Sequence, residues 1–271
     1  MRSASPLAEG CGLTPARRGT LPKTRRNGII TAMHRLLVDT AELESDSPVL
    51  SRDAANHLKV LRPRDGEEIE LFDGRGSWRV CAFSCGAIAP EAPVCHAPRT
   101  SPLTLFACVT KGSRWDWTVE KATELGATRI VPVISDRTIV RISAGEREAK
   151  RARWRRIAED AARQSDAKWL PDVLAPVDFA ASLPLVRETA CFVGAIATPA
   201  PEPILSAVHA RPRDLPPSLY VGPEGDFTPD ELAALCEVAT PVSFGTTILR
   251  AETAAIYGLS VLKSVIDVRA R

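Results

Sequence analysis

The residues best placed to do chemistry lie in two glycine-bearing turns near the carboxyl end of the chain. The first turn consists of Gly222, Pro223, Glu224 and Gly225. The second turn, residues 245–254, follows soon afterwards and carries Arg250. Each turn ends an apolar strand pattern and leads into a helical one, so each presents bare backbone amide and carbonyl groups. One such turn alone could be structural, but two close together predict one small-ligand pocket that both of them build.

The elements that must position these turns alternate between strands and helices from Leu103 onward. The strand patterns cover residues 103–109, 129–134, 190–195, 218–221 and 242–244. The helical patterns cover residues 115–125, 143–164 and 252–268, and another helix starts at Thr228. This alternation predicts a parallel sheet covered by helices on both faces. Ligands of such sheets bind at the carboxyl ends of the strands, which is where both turns lie.

Residues 34–98 have a different pattern, in which short apolar stretches alternate with turns. Asp73 and Gly74 separate two strand-like stretches and predict a hairpin. A small barrel would hide the edges of so few strands. Residues 89–102 contain four prolines and are interpreted as a linker between this β-rich part and the strand-helix part.

Residues 1–32 stand apart as a basic segment without an apolar pattern. Their charged residues are Arg2, Glu9, Arg17, Arg18, Lys23, Arg25 and Arg26. This composition predicts a disordered tail, and it lacks the apolar core of a secretory signal. An organelle transit peptide stays open as an alternative, and so does a translation start at Met33, directly before the first strand-like stretch.

Because such a tail buries little surface, a chain that begins at Met33 should be as stable as the full chain. Thermal melting of the two purified proteins tests this, and we expect melting temperatures that agree within the error of the measurement. A clear drop in the shorter chain would show that residues 1–32 stabilise the remainder.

Composition and charge are those of an ordinary globular protein, with 45% hydrophobic and 25% charged residues. No apolar run is long enough to span a membrane, and a net charge of +2 leaves nucleic-acid binding to local basic patches. Seven cysteines without a repeating framework indicate reduced thiols and a cytoplasmic protein. Cys81, Cys85, Cys95 and His96 share one segment, but their spacing matches no zinc motif, so no metal is expected.

Several enzyme classes lack their sequence signature in this chain. There is no glycine-rich dinucleotide fingerprint, no phosphate-binding loop and no Gly-x-Ser-x-Gly nucleophile motif. His96 and His209 lie in proline-rich connections, away from any plausible nucleophile. Hydride transfer and hydrolysis are therefore disfavoured.

Five segments resemble the RsmE family, the small-subunit ribosomal RNA (uracil-N3) methyltransferases of the SPOUT superfamily. They are residues 56–62 (NHLKVLR), residues 111–112 with 120–126 (KG and EKATELG), residues 164–165 (QS), residues 222–225 (GPEG) and residues 248–254 (ILRAETA). Each segment alone is weak, but the five occur in the order of the family. The resemblance covers about residues 34–271.

The resemblance implies an α/β fold with a SPOUT-type parallel sheet and a carboxyl-terminal trefoil knot, preceded by a PUA-like β-barrel. The expected domains are the disordered tail at residues 1–32, an RNA-binding barrel at 33–98 and a methyltransferase domain at 101–271. It also implies S-adenosylmethionine bound in the knot, a homodimer, and small-subunit ribosomal RNA or the assembling subunit as partner. Pattern rules alone would not predict the knot, since true knots are rare.

The implied cofactor site is built from backbone groups of both turns, which can recognise adenine. Its expected residues are Gly222, Pro223, Glu224, Gly225, Phe244, Gly245, Ile248, Leu249 and Thr253. Ile248 and Leu249 could equally be ordinary core residues. Glu252 and Thr253 could simply cap the last helix.

Arg250 and Glu224 are the expected catalytic residues. Methylation of uracil N3 requires loss of the imide proton and stabilisation of the resulting anion. A guanidinium can hold a phosphate, or the charge on a uracil oxygen, in a fixed fork of donors. Glu224 is a candidate base by position, although a turn or salt-bridge role is the simpler interpretation and solvent could accept the proton.

Basic residues in the family segments or close to them are the expected RNA contacts. They are His57, Lys59, Arg62 and Arg64 in the barrel, and Lys111 and Arg114 in the methyltransferase domain. Phosphate contacts from such residues position an RNA without reading its sequence. The basic run at residues 147–156 is interpreted as a solvated helix face, because Trp154, Ala158 and Ala161 mark its buried stripe; RNA contact is the alternative.

Three places depart from the family pattern. The differing residues are Asp166 and Ala167 in place of Gly-Arg, Thr246 and Thr247 in place of Pro-Arg, and Asp226 in place of a glycine. Two arginines expected near the substrate are thus missing, and Lys168 could replace one charge but not a bidentate fork. The alternative function is therefore an RNA-binding or ribosome-assembly protein with weakened catalysis. A third possibility is an enzyme that methylates a ribose hydroxyl.

Overall fold

The computed structural model describes residues 33–196, 200–210 and 215–269, together with the backbone of residues 25–26 and 29–30. The chain divides into two units, Met1–Met33 and His34–Arg271. In the first unit, strands β1 (Arg25–Arg26) and β2 (Ile29–Ile30) pair antiparallel. The remainder of the predicted tail at 1–32 lies outside the described residues, so its disorder stays a prediction.

The amino-terminal part of the second unit contains one five-stranded sheet. Its strands are β3 (His34–Leu37), β4 (Glu67–Phe72), β5 (Ser77–Ser84), β6 (Ala87–Pro90) and β7 (Cys95–His96). The order is β3-β4-β5-β6, and β7 also pairs with β5; only β3 and β4 are parallel. The linker predicted at residues 89–102 is therefore wrong in part, because the end of β6 and all of β7 belong to the sheet.

The hairpin that Asp73 and Gly74 predict is confirmed between β4 and β5. The Asp73 carboxylate accepts hydrogen bonds from the backbone N–H groups of Arg75 (2.7 Å) and Ser77 (3.0 Å). Aspartate is favoured in turns because its side chain can bond to the backbone two residues on. The turn therefore fixes the register of the two longest strands in this sheet.

Two helices, α1 (Thr40–Glu44) and α2 (Arg52–Leu61), lie between β3 and β4. Helix α2 is not predicted by the pattern of its segment, which indicates β structure. Ser51 caps its amino end by accepting a hydrogen bond from Ala54 N (3.2 Å), and Arg62 ends it in a left-handed conformation with φ 48°. This helix carries two of the basic residues expected to contact RNA, His57 and Lys59.

The predicted parallel sheet of the carboxyl-terminal part is confirmed, and among the described residues it has seven strands, two more than the sequence patterns indicate. They are β8 (Thr104–Cys108), β9 (Arg129–Ile134), β10 (Asp172–Val173), β11 (Val177–Asp178), β12 (Ala190–Gly194), β13 (Pro217–Val221) and β14 (Thr240–Val242). The order is β10-β9-β8-β13-β12-β14, and β11 pairs with β9. Strands β13, β12 and β14 are thus neighbours, which brings the segments after them together.

Helices cover both faces of this sheet. They are α3 (Ser113–Glu124), a 3-10 turn (Ala144–Glu146), α4 (Arg147–Ser165), α5 (Phe179–Arg187), α6 (Ile204–Ala210), α7 (Pro229–Cys236) and α8 (Ala251–Arg269). Leu105 packs in a core with α3, α4, α6 and α8, whereas its neighbour Phe106 packs in the core that includes α5 and α7. Adjacent strand residues face opposite sides, so one strand supplies both cores. Within the described residues, no helix is long and apolar enough to cross a membrane.

A buried charge cluster joins the two parts of this unit. Glu70 in β4 accepts hydrogen bonds from Arg35 Nε (2.8 Å) and Lys168 Nζ (2.5 Å), and Asp166 accepts one from Lys168 (2.7 Å). Arg35 also donates to the carbonyl oxygen of Ala167 (3.1 Å), just after α4. Lys168 is therefore occupied at this junction, and its side chain is only 11% exposed. This burial argues against the idea that it replaces a missing arginine at an RNA site.

Candidate functional site

A cavity of about 390 Å³ lies at the carboxyl ends of β12, β13 and β14. Its wall residues at and beyond the strand ends are Gly194, which ends β12, with Ala195, Ile196, Ala200 and Pro201 after it; Gly222, Pro223, Glu224 and Asp226 after β13; and Ser243 to Ala251 with Ala254 after β14. The structure thus brings both sequence-predicted turns to one cavity of a size typical for small ligands. The segment after β12 was missed, although Gly194 at a strand end is the same signal that marked the other two.

The segment after β14 leaves its backbone donors free. None of the N–H groups from residue 246 to residue 250 donates a hydrogen bond to another described residue. Backbone N–H groups that lack a protein partner are available to a ligand or to water. The predicted strand at residues 242–244 is shifted to Thr240–Val242, so that Phe244 belongs to this segment and not to the sheet.

The backbone of this segment bends at Gly245. Its φ is +118°, a conformation that side-chain-bearing residues rarely adopt, and a Cβ there would meet nothing within 4 Å. The backbone conformation, and not lack of space, is therefore what favours glycine. The Ser243 hydroxyl supports the bend, because it donates to Gly245 O (3.2 Å) and accepts from Gly245 N (3.2 Å).

The Phe244 ring is wedged between two other residues. On one side a Cβ at Gly194 would lie 2.3 Å from Phe244 Cε2, so the ring occupies the space that a side chain would need. On the other side the Tyr257 ring packs edge-on, with ring centroids 5.8 Å apart. Two backbone hydrogen bonds join the chain after β12 to the end of β14. They run from Ala195 N to Val242 O (3.1 Å) and from Ile204 N to Ser243 O (3.1 Å). Phe244 is therefore a fixed wall of the cavity.

Replacing Gly194 with alanine should weaken ligand binding in this cavity by about fivefold to hundredfold. The new methyl group forces Phe244 out of its position, and overpacking of this kind costs about 1–3 kcal/mol. Calorimetric titration with S-adenosylmethionine, the cofactor that the family resemblance implies, measures the effect. Gly145→Ala is the matched control, because a Cβ at Gly145 meets nothing within 4 Å. Equal affinities in the two variants would contradict this account of the wall.

The turn after β13 closes on itself. Asp226 N donates to Pro223 O (3.0 Å), and Asp226 adopts φ +58°. The Phe227 ring lies against Gly222, where a Cβ would come within 3.0 Å of it. Of the expected cofactor residues, Gly225 and exposed Thr253 do not line the cavity, whereas the other seven do.

Arg250 lies at the mouth of the cavity, directly before α8. Its side chain is exposed, and its guanidinium makes no hydrogen bond or ion pair with a described residue. Ile248, which could have been a core residue, is 82% exposed, whereas Leu249 packs partly against the core. Arg250 therefore has its donors available for a substrate.

Glu224 forms an ion pair with Arg114, whose Nη1 lies 3.2 Å from Glu224 Oε1. The pair links the turn after β13 to the start of α3. It also means that two residues with separately expected roles, one in catalysis and one in RNA binding, contact each other. The salt-bridge interpretation of Glu224 has this contact in its favour, and the general-base role stays a prediction.

The other expected RNA contacts fall on separate surfaces. Lys59 and Arg62 line an apolar groove of about 790 Å³ between α2 and the β5–β6 hairpin, and Arg64 follows them on the exposed surface. His57 instead lines a cleft between α2 and α4. Partial burial, and next the nearby Arg163 guanidinium, lower the pKa of His57. An imidazole that is neutral at pH 7 makes a weaker phosphate contact than the lysine and arginines.

Most arginines of α4 are already paired. Ion pairs join Arg147 with Asp178, Arg151 with Glu148, Arg153 with Asp116, Arg155 with Glu159 and Arg163 with Asp160. Trp154, Ala158 and Ala161 are buried, as the stripe predicts. The pairing favours the interpretation of this helix as a solvated face over a dedicated RNA contact.

Metal ligation finds no support at the site. Across the part of the chain that the structure describes, no group of three or more His, Cys, Asp or Glu side chains could hold a metal ion. Cys81 is buried, and burial raises the pKa of its thiol to about 11. The thiol is therefore protonated at neutral pH, which fits a small apolar core residue better than a metal ligand.

Family models match the chain in two places. The model of an RNA methyltransferase domain matches residues 97–263, which include all three segments that form the cavity. The model of an RNA methyltransferase PUA domain matches residues 50–84, which include α2, β4 and β5.

Named relatives and solved structures resemble the chain over most of its length. The ribosomal RNA small subunit methyltransferase E of Mycobacterium bovis is 32% identical over 83% of this chain and 89% of the relative. That of Synechocystis is 28% identical over 97% of this chain and 88% of the relative. The crystal structure of the Neisseria gonorrhoeae enzyme of this name, bound to S-adenosyl methionine, superposes with a TM-score of 0.73 at 28% identity, covering 86% of this chain and 98% of that one.

Proposed function

Because the chain belongs to the ribosomal RNA small subunit methyltransferase E family, we propose that it methylates N3 of a uridine in small-subunit ribosomal RNA, with S-adenosylmethionine as donor. Membership rests on the RNA methyltransferase domain at residues 97–263 and on the relative that is 32% identical. The observation that carries the proposal is the cavity after β12, β13 and β14, because it places free backbone donors beside Arg250.

The residues of the cavity fit this donor. Free N–H groups at residues 246–250 can bond to the acceptor atoms of an adenine ring, and Phe244 and Leu249 supply apolar surface. When bound, S-adenosylmethionine supplies an electrophilic methyl group on a positively charged sulfur. We assign its binding to the seven expected residues that line the cavity, together with Gly194 and Ala195.

Arg250 is the residue that we assign to catalysis. Its unpaired guanidinium lies at the mouth of the cavity, where it can hold the oxygen of a uracil that loses its N3 proton. Stabilising that oxygen lowers the pKa of the imide and keeps the nitrogen lone pair available for methylation. Glu224 and solvent are the two candidates for the proton acceptor.

RNA binding, assembly and localisation complete the proposal. Lys59, Arg62 and Arg64 would hold the RNA backbone on the amino-terminal part, whose residues 50–84 match the PUA model. Lys111, which is exposed in the loop after β8, would do so on the carboxyl-terminal part. The protein would act as a cytoplasmic homodimer on the ribosomal RNA or the assembling small subunit, and the trefoil knot of the superfamily stays a prediction.

Two assays test the proposal in sequence. Calorimetric titration with S-adenosylmethionine should show saturable binding, and tritiated methyl groups should then pass to small subunits that lack the modification. Mass spectrometry of the digested RNA should place the new methyl on a uracil base. Binding without transfer would favour the assembly-protein alternative, which the absent arginines at Ala167 and Thr247 motivate. A methylated ribose would favour the third possibility.

A further inference from the structure

Arg137 lies in the loop after β9, on a backbone that is tied down on both sides. The turn that carries it is closed by hydrogen bonds from Thr138 N to Ser135 O (3.1 Å) and from Ser135 N to the Thr138 hydroxyl (3.0 Å). Asp136 N donates to Glu231 Oε1 (2.9 Å), and Glu231 is a buried residue in the first turn of α7. Arg137 therefore projects from a position fixed relative to α7.

The Arg137 guanidinium bridges two carbonyl oxygens of the turn after β13. Its Nη1 donates to Gly225 O (3.0 Å) and to Phe227 O (3.2 Å). These two residues flank Asp226, which adopts the left-handed φ of +58°. Asparagine and aspartate visit this conformation more often than other side-chain-bearing residues, but it still costs them free energy. Arg137 thus holds the main chain on both sides of the one residue in the turn whose backbone is strained.

Two residues connect this turn to the wall of the cavity. Asp226 is itself a wall residue, and its carboxylate accepts a hydrogen bond from Phe227 N (2.8 Å). The Phe227 ring packs against Gly222, another wall residue. If the turn relaxed to another backbone conformation, the wall formed by Gly222, Pro223 and Glu224 would move with it.

We propose that Arg137 is a positioning residue of the methyl-donor site, which fixes the wall after β13 by clamping the left-handed turn at Asp226. It does so without contacting the donor. The assignment rests on the proposed function, because it takes the cavity to be the donor site. A clamp of this kind has a specific consequence. Loss of Arg137 should lower the donor affinity less when residue 226 can adopt a positive φ without strain.

Calorimetric titration of the full chain with S-adenosylmethionine tests the clamp. Arg137→Ala should weaken donor affinity about tenfold, because the released turn has to be ordered again before the donor can bind, while the melting temperature falls by only a few degrees. Arg137→Lys should lose less. Arg129→Ala is the matched control, because Arg129 is an exposed arginine at the opposite end of β9. The double variant Arg137→Ala/Asp226→Gly should bind more tightly than Arg137→Ala alone, and this rescue would not follow from a general structural role.

Amide hydrogen exchange tests whether Arg137 holds the turn, independently of whether the cavity binds the donor. In the ligand-free protein, the amides of Asp226 and Phe227 should exchange faster in Arg137→Ala than in the wild type and in Arg129→Ala. Unchanged exchange, or donor affinity equal to that of the wild type in Arg137→Ala, would overturn the proposal. So would a double variant that binds no better than Arg137→Ala. If the wild type itself bound no donor, the proposed function would fall, whereas the exchange rates would still decide whether Arg137 clamps the turn.

Discussion

Replacing Arg250 with alanine should lower the rate of methyl transfer by on the order of 10²–10³-fold, the usual cost of removing one donor that stabilises a developing oxyanion. The side chain is exposed and makes no contact that holds the fold, so the melting temperature should not change. Affinity for the methyl donor should change little, because the backbone donors at residues 246–250 remain. A single-turnover transfer assay with saturating donor measures the effect.

Two variants sharpen this test. Arg250→Lys keeps the charge but not the planar fork, so it should recover only part of the rate. Arg187→Ala is the matched control, because it also removes an exposed arginine. Arg187 ends α5 and is followed by the amino end of β12, so it lies at the end of that strand opposite the cavity. Near-normal turnover in Arg250→Ala would show that the catalytic assignment is wrong.

Replacing Glu70 with alanine should lower the free energy of unfolding by about 3–5 kcal/mol, the usual cost of removing one partner from a buried ion pair. Glu70 is 4% exposed and bonds to both Arg35 and Lys168. Without it, Asp166 is the one carboxylate left to balance the two buried cations, at 3.4 Å from Arg35 and 2.7 Å from Lys168. Arg35 keeps its hydrogen bond to the Ala167 carbonyl oxygen, which carries no full charge. Denaturant unfolding followed by tryptophan fluorescence measures the loss.

Glu67→Ala is the control for this variant. Glu67 lies in the same strand, but its side chain is 40% exposed. Its carboxylate lies 3.5 Å from His34 Nε2, a pair that is ionic only when His34 is protonated, and accepts a hydrogen bond from Arg64 N (2.9 Å). Exposed pairs of this kind contribute about 0–1 kcal/mol. If Glu70→Ala cost no more than Glu67→Ala, the cluster would not be what fastens the amino-terminal sheet to residues 166–168.

Local signals in the sequence predicted local structure well. The helical patterns expected to begin at Ser143 and Thr228 both open with a capping box in the structure, because a cap depends on residues only three positions apart. The strand Arg129–Ile134 has the predicted bounds, since its apolar run is flanked by turn residues. Ser51 offered the same kind of cap signal for α2, but the surrounding β pattern concealed it.

Contacts between distant residues could not be predicted from such signals. Nothing local to Arg35, Glu70 or Lys168 indicates that they meet, because their pairing depends on how α4 docks on the amino-terminal sheet. The wall at Gly194 was missed for a related reason. Its role depends on Phe244, which belongs to a separate segment of the chain.

Asp166 and Asp226 show how a departure from a family pattern can be compatible with the fold. Both stand where the family usually has glycine, and both adopt a left-handed backbone, with φ of +59° and +58°. Aspartate tolerates this conformation better than most residues, so the main chain can follow the same path. The carboxylates then find local partners, Lys168 in one case and Phe227 N in the other. Neither aspartate is therefore evidence of lost function.

A crystal structure of the full chain grown with S-adenosylmethionine tests the central claim most directly. We predict that the adenine lies in the cavity after β12, β13 and β14, bonded to main-chain atoms between residues 246 and 250, with Phe244 against it and the methyl group towards Arg250. Donor found outside this cavity, or a cavity that stays free of donor at millimolar concentration, would contradict the account.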